Sequence, residues 1–414
     1  MGRLLAQRNA RVYLAGQALS ILGDSALWLA AAIWVKSLTG SSSAAGLVFF
    51  AFTLPQFAAP LAGLLVDRVR RRPLLIATNL VIGAAVLLLL LVRGPEQVWL
   101  IYAVMVVYGA SYSVLSSGQT ALVPAMVPDE ALPDMNAALQ TVRQGLRLVS
   151  PLVGAGLFAW QGGGVVALLD AATFALAAAS LLVIRVDEPA PAPREGHWLA
   201  EMAAGIRHVR RTPVLVQMVV AAVLAMLLFG FGETIVFAVV DQGLHRPPTF
   251  VGVLLTGQGV GAVVGGLTAG LLLRRMGGGV LFGVALACAG ACGLLLAIPV
   301  LPVVAAAVVL FGLSLPWLLV SVVTVLQRVT PSEVLGRVSS AVDLLVGVPQ
   351  TLSIALGAAL VALVDYRLLL VACAALTIAA AAYMLTRPER AAELREAAGH
   401  VRGSPPEQPG IDPG

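Results

Sequence analysis

The stretch Gly63-Leu64-Leu65-Val66-Asp67-Arg68-Val69-Arg70-Arg71-Arg72 decides the fold class, because an apolar run ends in it against a cluster of arginines. Upstream, residues 44–66 are long enough, at about 1.5 Å per residue, to cross a hydrocarbon core of about 30 Å. Downstream, a second apolar run starts at Pro73. Positive charge held between two such runs marks a short loop on the cytoplasmic face of a membrane. Outward from this point the pattern continues, and spans are expected near 12–36, 44–66, 73–92, 97–119, 139–160, 164–185, 213–240, 249–273, 279–298, 301–326, 340–364 and 367–386. Composition agrees. Of 414 residues 59% are apolar and 11% charged, against about 25% charged in soluble domains. A large soluble domain is excluded, and the expected fold class is an all-α membrane protein of twelve transmembrane helices.

The net charge of +5 is explained by sidedness and needs no nucleic acid. With a cytoplasmic N-terminus, 20 basic residues fall in inside segments and only Lys36, Arg93, Arg246 and Arg367 fall outside. Both termini are therefore expected in the cytoplasm, in a cell (inner or plasma) membrane. The basic N-terminal start resembles a signal peptide, but the apolar segment after it is about 25 residues long, beyond the 7–15 of such a core, and is read as a retained helix. Cys288, Cys292 and Cys373 lie inside apolar runs and read as small core residues with no disulfide.

The two halves repeat. A shift of 203 pairs Pro128 with Pro331, Glu130 with Glu333, Ala138 with Ala341, Ser150 with Ser353 and Gly154 with Gly357. A shift of 207 lays Ala62-Gly63-Leu64-Leu65 over Ala269-Gly270-Leu271-Leu272 and Arg68 over Arg275. The expected organisation is a six-helix half at 1–185, a cytoplasmic linker at 186–212, a second half at 213–386 and a flexible tail at 387–414. Two six-helix halves around a central site is a plan of secondary transporters.

The opening stretch resembles the G-x-L-x-D-R-x-x-R-R signature of the major facilitator superfamily. Gly63 permits close helix contact, Asp67 is able to cap a helix N-terminus, and Arg68, Arg71 and Arg72 meet acidic groups or headgroups. The second-half copy is degenerate, with Arg274 at the Asp position. Leu22-Gly23-Asp24, Asn136-Ala137, Ser150-Pro151-x-x-Gly154 and Leu169-Asp170-Ala-Ala-Thr-Phe174 together resemble the drug:proton antiporters of the macrolide-efflux and enterobactin-exporter type. The Gly-Pro-x-x-Gly-Gly antiporter motif is partly kept, with Ser150 and Ala155 at two of its glycine positions. The resemblance implies alternating access between two halves, with Asp67 closing the cytoplasmic side against the first turn of the eleventh span, around Val338 to Ser340.

Ionisable groups in lipid are costly, so each is a functional candidate. Asp24 lies near the middle of the first span, and Gln17, Ser20, Asp24 and Trp28 share one helical face, as expected where a helix lines a cavity. Asp24 reads either as a proton or substrate site or as a permanently paired carboxylate. Glu233, with Phe237 one turn later, is the second acid, suited equally to gating. Gln140, Arg143, Gln144 and Arg147 occupy i, i+3, i+4 and i+7 of the fifth span, and the repeat sets Asp343 opposite Gln140 and Gln350 opposite Arg147. Arg147 is expected as the counter-charge to Asp24. Tyr108, Tyr112 and Trp317 either offer aromatic faces to an organic ligand or pack in the core. Asp170, in a span usually peripheral in the family, reads as structural.

Several activities are excluded. Lys36 is the only lysine and follows Val35, so there is no G-x-x-x-x-G-K-[ST] phosphate loop. Gly257-Gln258-Gly259-Val260-Gly261-Ala262 fits a dinucleotide fingerprint on paper, but lies in an apolar span with no strand before it. All four histidines fall in expected loops or the tail, leaving no H-E-x-x-H metal set. No enzyme activity, metal or cofactor is expected. The function expected is proton-coupled efflux of an amphipathic organic compound, with protons, substrate and the lipid bilayer as partners and a monomer as the unit. The alternatives are an importer or lipid flippase on the same fold and, from another class, a non-transporting receptor or assembly factor, against which the retained Asp24, Glu233 and Asp67 argue.

Overall fold

A computed structural model describes residues 7–58, 62, 65–66, 68–128, 131–184, 186, 198–330 and 332–386. The described residues form helices and short connections: α1 (Arg8–Thr39), α2 (Ser42–Thr53), α3 (Arg71–Leu87), α4 (Val98–Met126), α5 (Leu132–Gln161), α6 (Gly163–Val183), α7 (Trp198–Arg211), α8 (Pro213–Ala238), α9 (Phe250–Met276), α10 (Gly278–Leu296), α11 (Leu301–Val329), α12 (Ser332–Leu360) and α13 (Tyr366–Thr386). Among the described residues ten helical spans are long and apolar enough to cross a membrane. Two more complete the twelve: α2, which runs on as a 3-10 turn to Ala58, and α5, whose 30 residues are interrupted by polar side chains.

Helix contacts repeat between the halves. In the first, α1 packs on α5 and α6, and α3 on α4 and α6; in the second, α8 packs on α12 and α13, and α10 on α11 and α13. The halves meet through α2 against α12 and α5 against α9, again a symmetric pair. Close approach depends on small residues, as it must where lipid supplies no hydrophobic drive. A Cβ on Gly154 would sit 2.5 Å from the Ala26 carbonyl oxygen on α1, and one on Gly252 would sit 2.6 Å from Ala155 Cβ across the two halves. Four helices, α4, α5, α11 and α12, carry internal prolines (Pro124, Pro151, Pro316, Pro349), each removing one ladder donor. Trp99 and Trp160 are 65% and 74% exposed at the end of the bundle that carries Lys36, as in an aromatic belt.

Three expectations need correction. Residues 198–211 form α7 where a loop was expected; Val209 buries its apolar face with Leu326, Val338 and Val342, so His208 is helical. A Cβ on Gly205 would meet the Arg337 carbonyl and lie 2.9 Å from Ala341 Cβ, so this glycine lets α7 lie against α12. Helix α12 starts at Ser332, about two turns before the expected 340, because hydropathy reports the apolar length rather than the helix. Val338 to Ser340 is therefore not a helix N-terminus, and a dipole there has no free N–H groups to offer Asp67. Gly63 and Asp67 themselves lie outside the described residues, as do 187–197 of the linker and 387–414 of the tail.

Candidate functional site: a cavity between the halves

The helix pairs that join the halves enclose a cavity of about 2340 Å³. Gln17, Ser20, Asp24 and Trp28 of α1 line it together, as their helical spacing predicts. Tyr108 and Tyr112 of α4, Gln140 and Arg143 of α5, Glu233 of α8, and Asp343 and Gln350 of α12 also line it. Sequence reasoning missed Gln119, Phe229, Gln258, Phe311 and Arg337, which also face it. Gln119 and Gln258 were detectable as amides inside apolar spans; nothing in the sequence marks the two phenylalanines.

Hydrogen bonds fix the α1 face. Tyr108 Oη donates to Asp24 Oδ1 at 2.6 Å, and Gln119 Nε2 donates to Gln17 Oε1 at 2.8 Å. Both bonds tie α1 to α4. Arg143 bears electrostatically on Asp24 and on Tyr13. It stands where Arg147 was expected; the Gln144 and Arg147 side chains lie outside the described residues. Glu233 is half-buried in the wall, and Asp343 is exposed into the cavity.

The cavity opens at one end. Gln140, Arg337, Ser340 and Asp343, toward the end that carries Arg71 and Arg72, are exposed. At the opposite end Lys36 is 5% exposed and donates to Gly40 O at 2.7 Å, Ser42 Oγ at 3.1 Å and Asp241 Oδ2 at 2.6 Å. The backbone prepares this contact. Gly40 takes the left-handed conformation (φ 69) that ends α1 and returns its N–H to Lys36 O, and Ser41 caps α2 by accepting from the Ala44 N–H. Below the ion pair, Trp28 and Phe49 rings lie 4.4 Å apart, and Phe49 stacks on Phe237 at 6.2 Å. The apolar core at this end runs unbroken from the first half into Phe237, Val239, Val240 and Tyr366 of the second. At the other end the second half has clusters of its own.

Other placements differ from expectation. Phe237 is 1% exposed and belongs to this closure rather than to the lining. Trp317 donates Nε1–H to Thr268 Oγ1 at 3.0 Å, so the indole finds its acceptor on α9 and packs between helices. Arg72 donates from Nε to Leu181 O at 2.8 Å and from Nη2 to Leu182 O at 2.9 Å, meeting the free carbonyls of the α6 C-terminus. Arg68 is exposed and Arg71 half-buried. Gly261 serves packing, since a Cβ there would strike Val309 O on α11, while Gln258 and Gly259 face the cavity.

A family model described as Major Facilitator Superfamily matches residues 13–245 and 222–408. Macrolide efflux protein A of Streptococcus pyogenes is 23% identical over 263 residues, covering 62% of this chain and 65% of the relative. The protein of the same name from Enterococcus faecalis is 23% identical over 217 residues, covering 51% and 67%. Among solved structures, a bacterial homologue of the iron transporter ferroportin in an inward-facing state superposes with a TM-score of 0.68 at 15% identity, over 92% of this chain and 99% of that one. The nucleoside transporter NupG gives 0.74 at 12% identity, over 90% and 99%. A bacterial homologue of the lysosomal transporter Spinster, inward-facing and unoccupied, gives 0.65 at 12% identity, over 91% and 95%. At these identities the structures establish the fold.

Proposed function

We propose a function from one premise: the chain belongs to the Major Facilitator Superfamily. It is a multi-pass membrane transporter for small molecules, and the finer reading is proton-coupled export of a bulky amphipathic organic compound of the macrolide class. The observation that carries this is Asp24: an acid in mid-membrane, held by Tyr108, on the wall of a cavity open at one end. A cavity of about 2340 Å³ exceeds the 300–1,000 Å³ usual for drug-sized ligands, and its aromatic and amide lining suits a large, mainly apolar molecule.

The arginine bias assigns the open end to the cytoplasm, with both termini and the 186–212 linker on that side. The conformation is then the one that loads substrate from inside, as in the two neighbours described as inward-facing. Export follows when the cytoplasmic side closes and the Lys36 end opens. A proton entering from outside neutralises Asp24, and its release inside resets the site. Each charge moving down a potential of 100 mV supplies about 2.3 kcal/mol, enough for modest accumulation. The chain acts as a monomer, its two halves at 1–185 and 213–386 rocking about the cavity.

Proteoliposomes loaded with radiolabelled erythromycin, with an imposed proton gradient, test this. Wild-type protein is expected to expel the label in a gradient-dependent manner, and Asp24→Asn to lose that dependence while inserting normally. Unchanged gradient-driven efflux in Asp24→Asn would remove Asp24 as the proton site.

A further inference from the structure

Behind Asp24 lies a second carboxyl that export by Asp24 alone leaves unused. Asp170, on α6, is 0% exposed, deeper than any other acid among the described residues. Its Oδ1 lies 3.5 Å from Thr173 Oγ1, whose better bond, at 2.7 Å, goes to the Asp170 carbonyl. Its Oδ2 has no hydrogen-bond partner among the described residues. Among the described residues the groups that bear on it are Asp24, Tyr108 and Thr173, with no cation among these.

The surroundings explain this closeness. From α1, Gly23 abuts α6 so tightly that a Cβ would collide with Thr173 Oγ1 and sit 2.5 Å from Asp170 Oδ1; this brings Asp24, the next residue, alongside. From α4, Tyr108 is 4% exposed and its ring sits edge-on to Phe174 at 5.6 Å. From α3, Gly83 packs on Phe174, and the Asn79 amide, one turn before it, donates to Leu75 O. Arg143 of α5 bears on Asp24 from the cavity side.

A carboxylate enclosed without a cation carries a desolvation cost that a neutral carboxylic acid avoids. The neutral acid also has a donor to give. Tyr108 has already committed its single proton to Asp24 Oδ1 at 2.6 Å, so what the phenol presents to Asp170 is lone-pair density. Turned onto Tyr108 Oη, a proton on Asp170 Oδ2, which makes no hydrogen bond among the described residues, completes a chain from carboxylic acid to phenol to carboxylate, each link donating to the next.

Resting on the reading of Asp24 as the proton site, we infer that Asp24 and Asp170 work as one pair through Tyr108, Asp170 keeping its proton while Asp24 exchanges its own with the cavity. Asp170 is thus a positioning residue. Its hydrogen bond polarises the phenol, which supports the Asp24 carboxylate until a proton arrives. No bond beyond these hydrogen bonds forms or breaks, and no other reactant is needed.

Infrared difference spectroscopy on purified, substrate-free protein at neutral pH tests the pair. Wild type is expected to show a protonated-carboxyl C=O band that Asp170→Asn, close in shape, abolishes and Asp24→Asn keeps but shifts in frequency. Tyr108→Phe retains the ring and removes the link, so in that background Asp24→Asn should no longer shift the band. Identical carboxyl spectra for wild type and Asp170→Asn, or a shift that survives Tyr108→Phe, would overturn the inference. The Tyr108 comparison needs no Asp170 variant and stands if Asp170→Asn fails to fold. Because no transport is measured, the band reports on the pair even if export proves independent of protons, and its absence leaves the export reading standing.

Discussion

Lys36 Nζ and Asp241 Oδ2 are 205 residues apart in the chain and 2.6 Å apart in space, joining α1 of the first half to the π-helical turn that follows α8 in the second. The lysine is nearly enclosed, whereas Asp241 is 49% exposed. Full burial would make breaking such a pair cost about 3–5 kcal/mol, and full exposure would reduce it to about 0–1. A value of about 1–2 kcal/mol suits this half-open geometry, which changes the ratio of two conformations roughly 5- to 30-fold. Asp241→Asn leaves Lys36 its bonds to Gly40 and Ser42 and takes the negative charge out of the link between halves, leaving at most a neutral amide acceptor. The variant should shift the population toward the form open at the Lys36 end, read in intact cells as faster labelling of a cysteine placed at Trp28 by an impermeant thiol reagent applied from outside, since the cavity that holds Trp28 is otherwise open only at the opposite end. A charge-swapped pair, Lys36→Asp with Asp241→Lys, should restore much of the wild-type rate. Equal labelling in wild type and Asp241→Asn would show that the contact does not hold that end closed.

Sidedness gives a second prediction. Arg210 on α7 and Gln242 beyond α8 are both exposed and lie at opposite ends of α8. In a variant with Cys288, Cys292 and Cys373 replaced, an impermeant thiol reagent applied to intact cells should label Gln242→Cys and spare Arg210→Cys. Labelling of Arg210→Cys from outside would invert the topology that the arginine bias assigns.

The first helix was legible because its information is local: Gln17, Ser20, Asp24 and Trp28 share a face by spacing alone, and all four line the cavity. Helix ends were not. The polar ends of α5 and α12 continue beyond the hydrocarbon thickness, where hydropathy carries no signal, and α7 has a charged face that reads as loop. The contacts of Lys36 with Asp241, and of Asp170 with the Asp24 site, depend on which helix faces share a depth after packing. No spacing within one helix encodes that relation. Trp317 shows the same limit from the other side, since its position in a cavity-forming helix says nothing of which way the indole turns.

Packing of α9 on α11 supports a stability prediction. A Cβ on Gly312 would strike the backbone carbonyl of Gln258, and one on Gly261 the carbonyl of Val309, so neither neighbour can yield by rotating a side chain. Overpacking typically costs about 1–3 kcal/mol. Gly312→Val should sit at the upper part of that range and lower the melting temperature of the detergent-purified protein. Gly266→Ala, where the added carbon meets nothing within 4 Å beyond its own stretch of helix, should not lower it. A Gly312→Val variant that melts with wild type would mean that the helices do not meet at that depth.

The last prediction concerns Arg143, which faces the cavity and bears on Asp24. A nearby cation stabilises the ionised carboxylate and not the neutral acid. Removing it therefore makes the Asp24 proton harder to release, and the sign follows: a variant without the cation needs a higher pH to reach the same ionised fraction. Arg143→Gln keeps a long polar side chain on the same wall, so packing changes little. If Asp24 carries the coupled proton, the pH of half-maximal efflux from proteoliposomes should rise in Arg143→Gln and stay at the wild-type value in Arg143→Lys. The Asp24→Asn background provides the control, since there Arg143→Gln should have no pH profile left to move. Equal midpoints for wild type and Arg143→Gln would mean that the arginine serves only the shape of the cavity. A midpoint that still moves in the Asp24→Asn background would transfer the titration to another acid on the same cavity, Glu233 first.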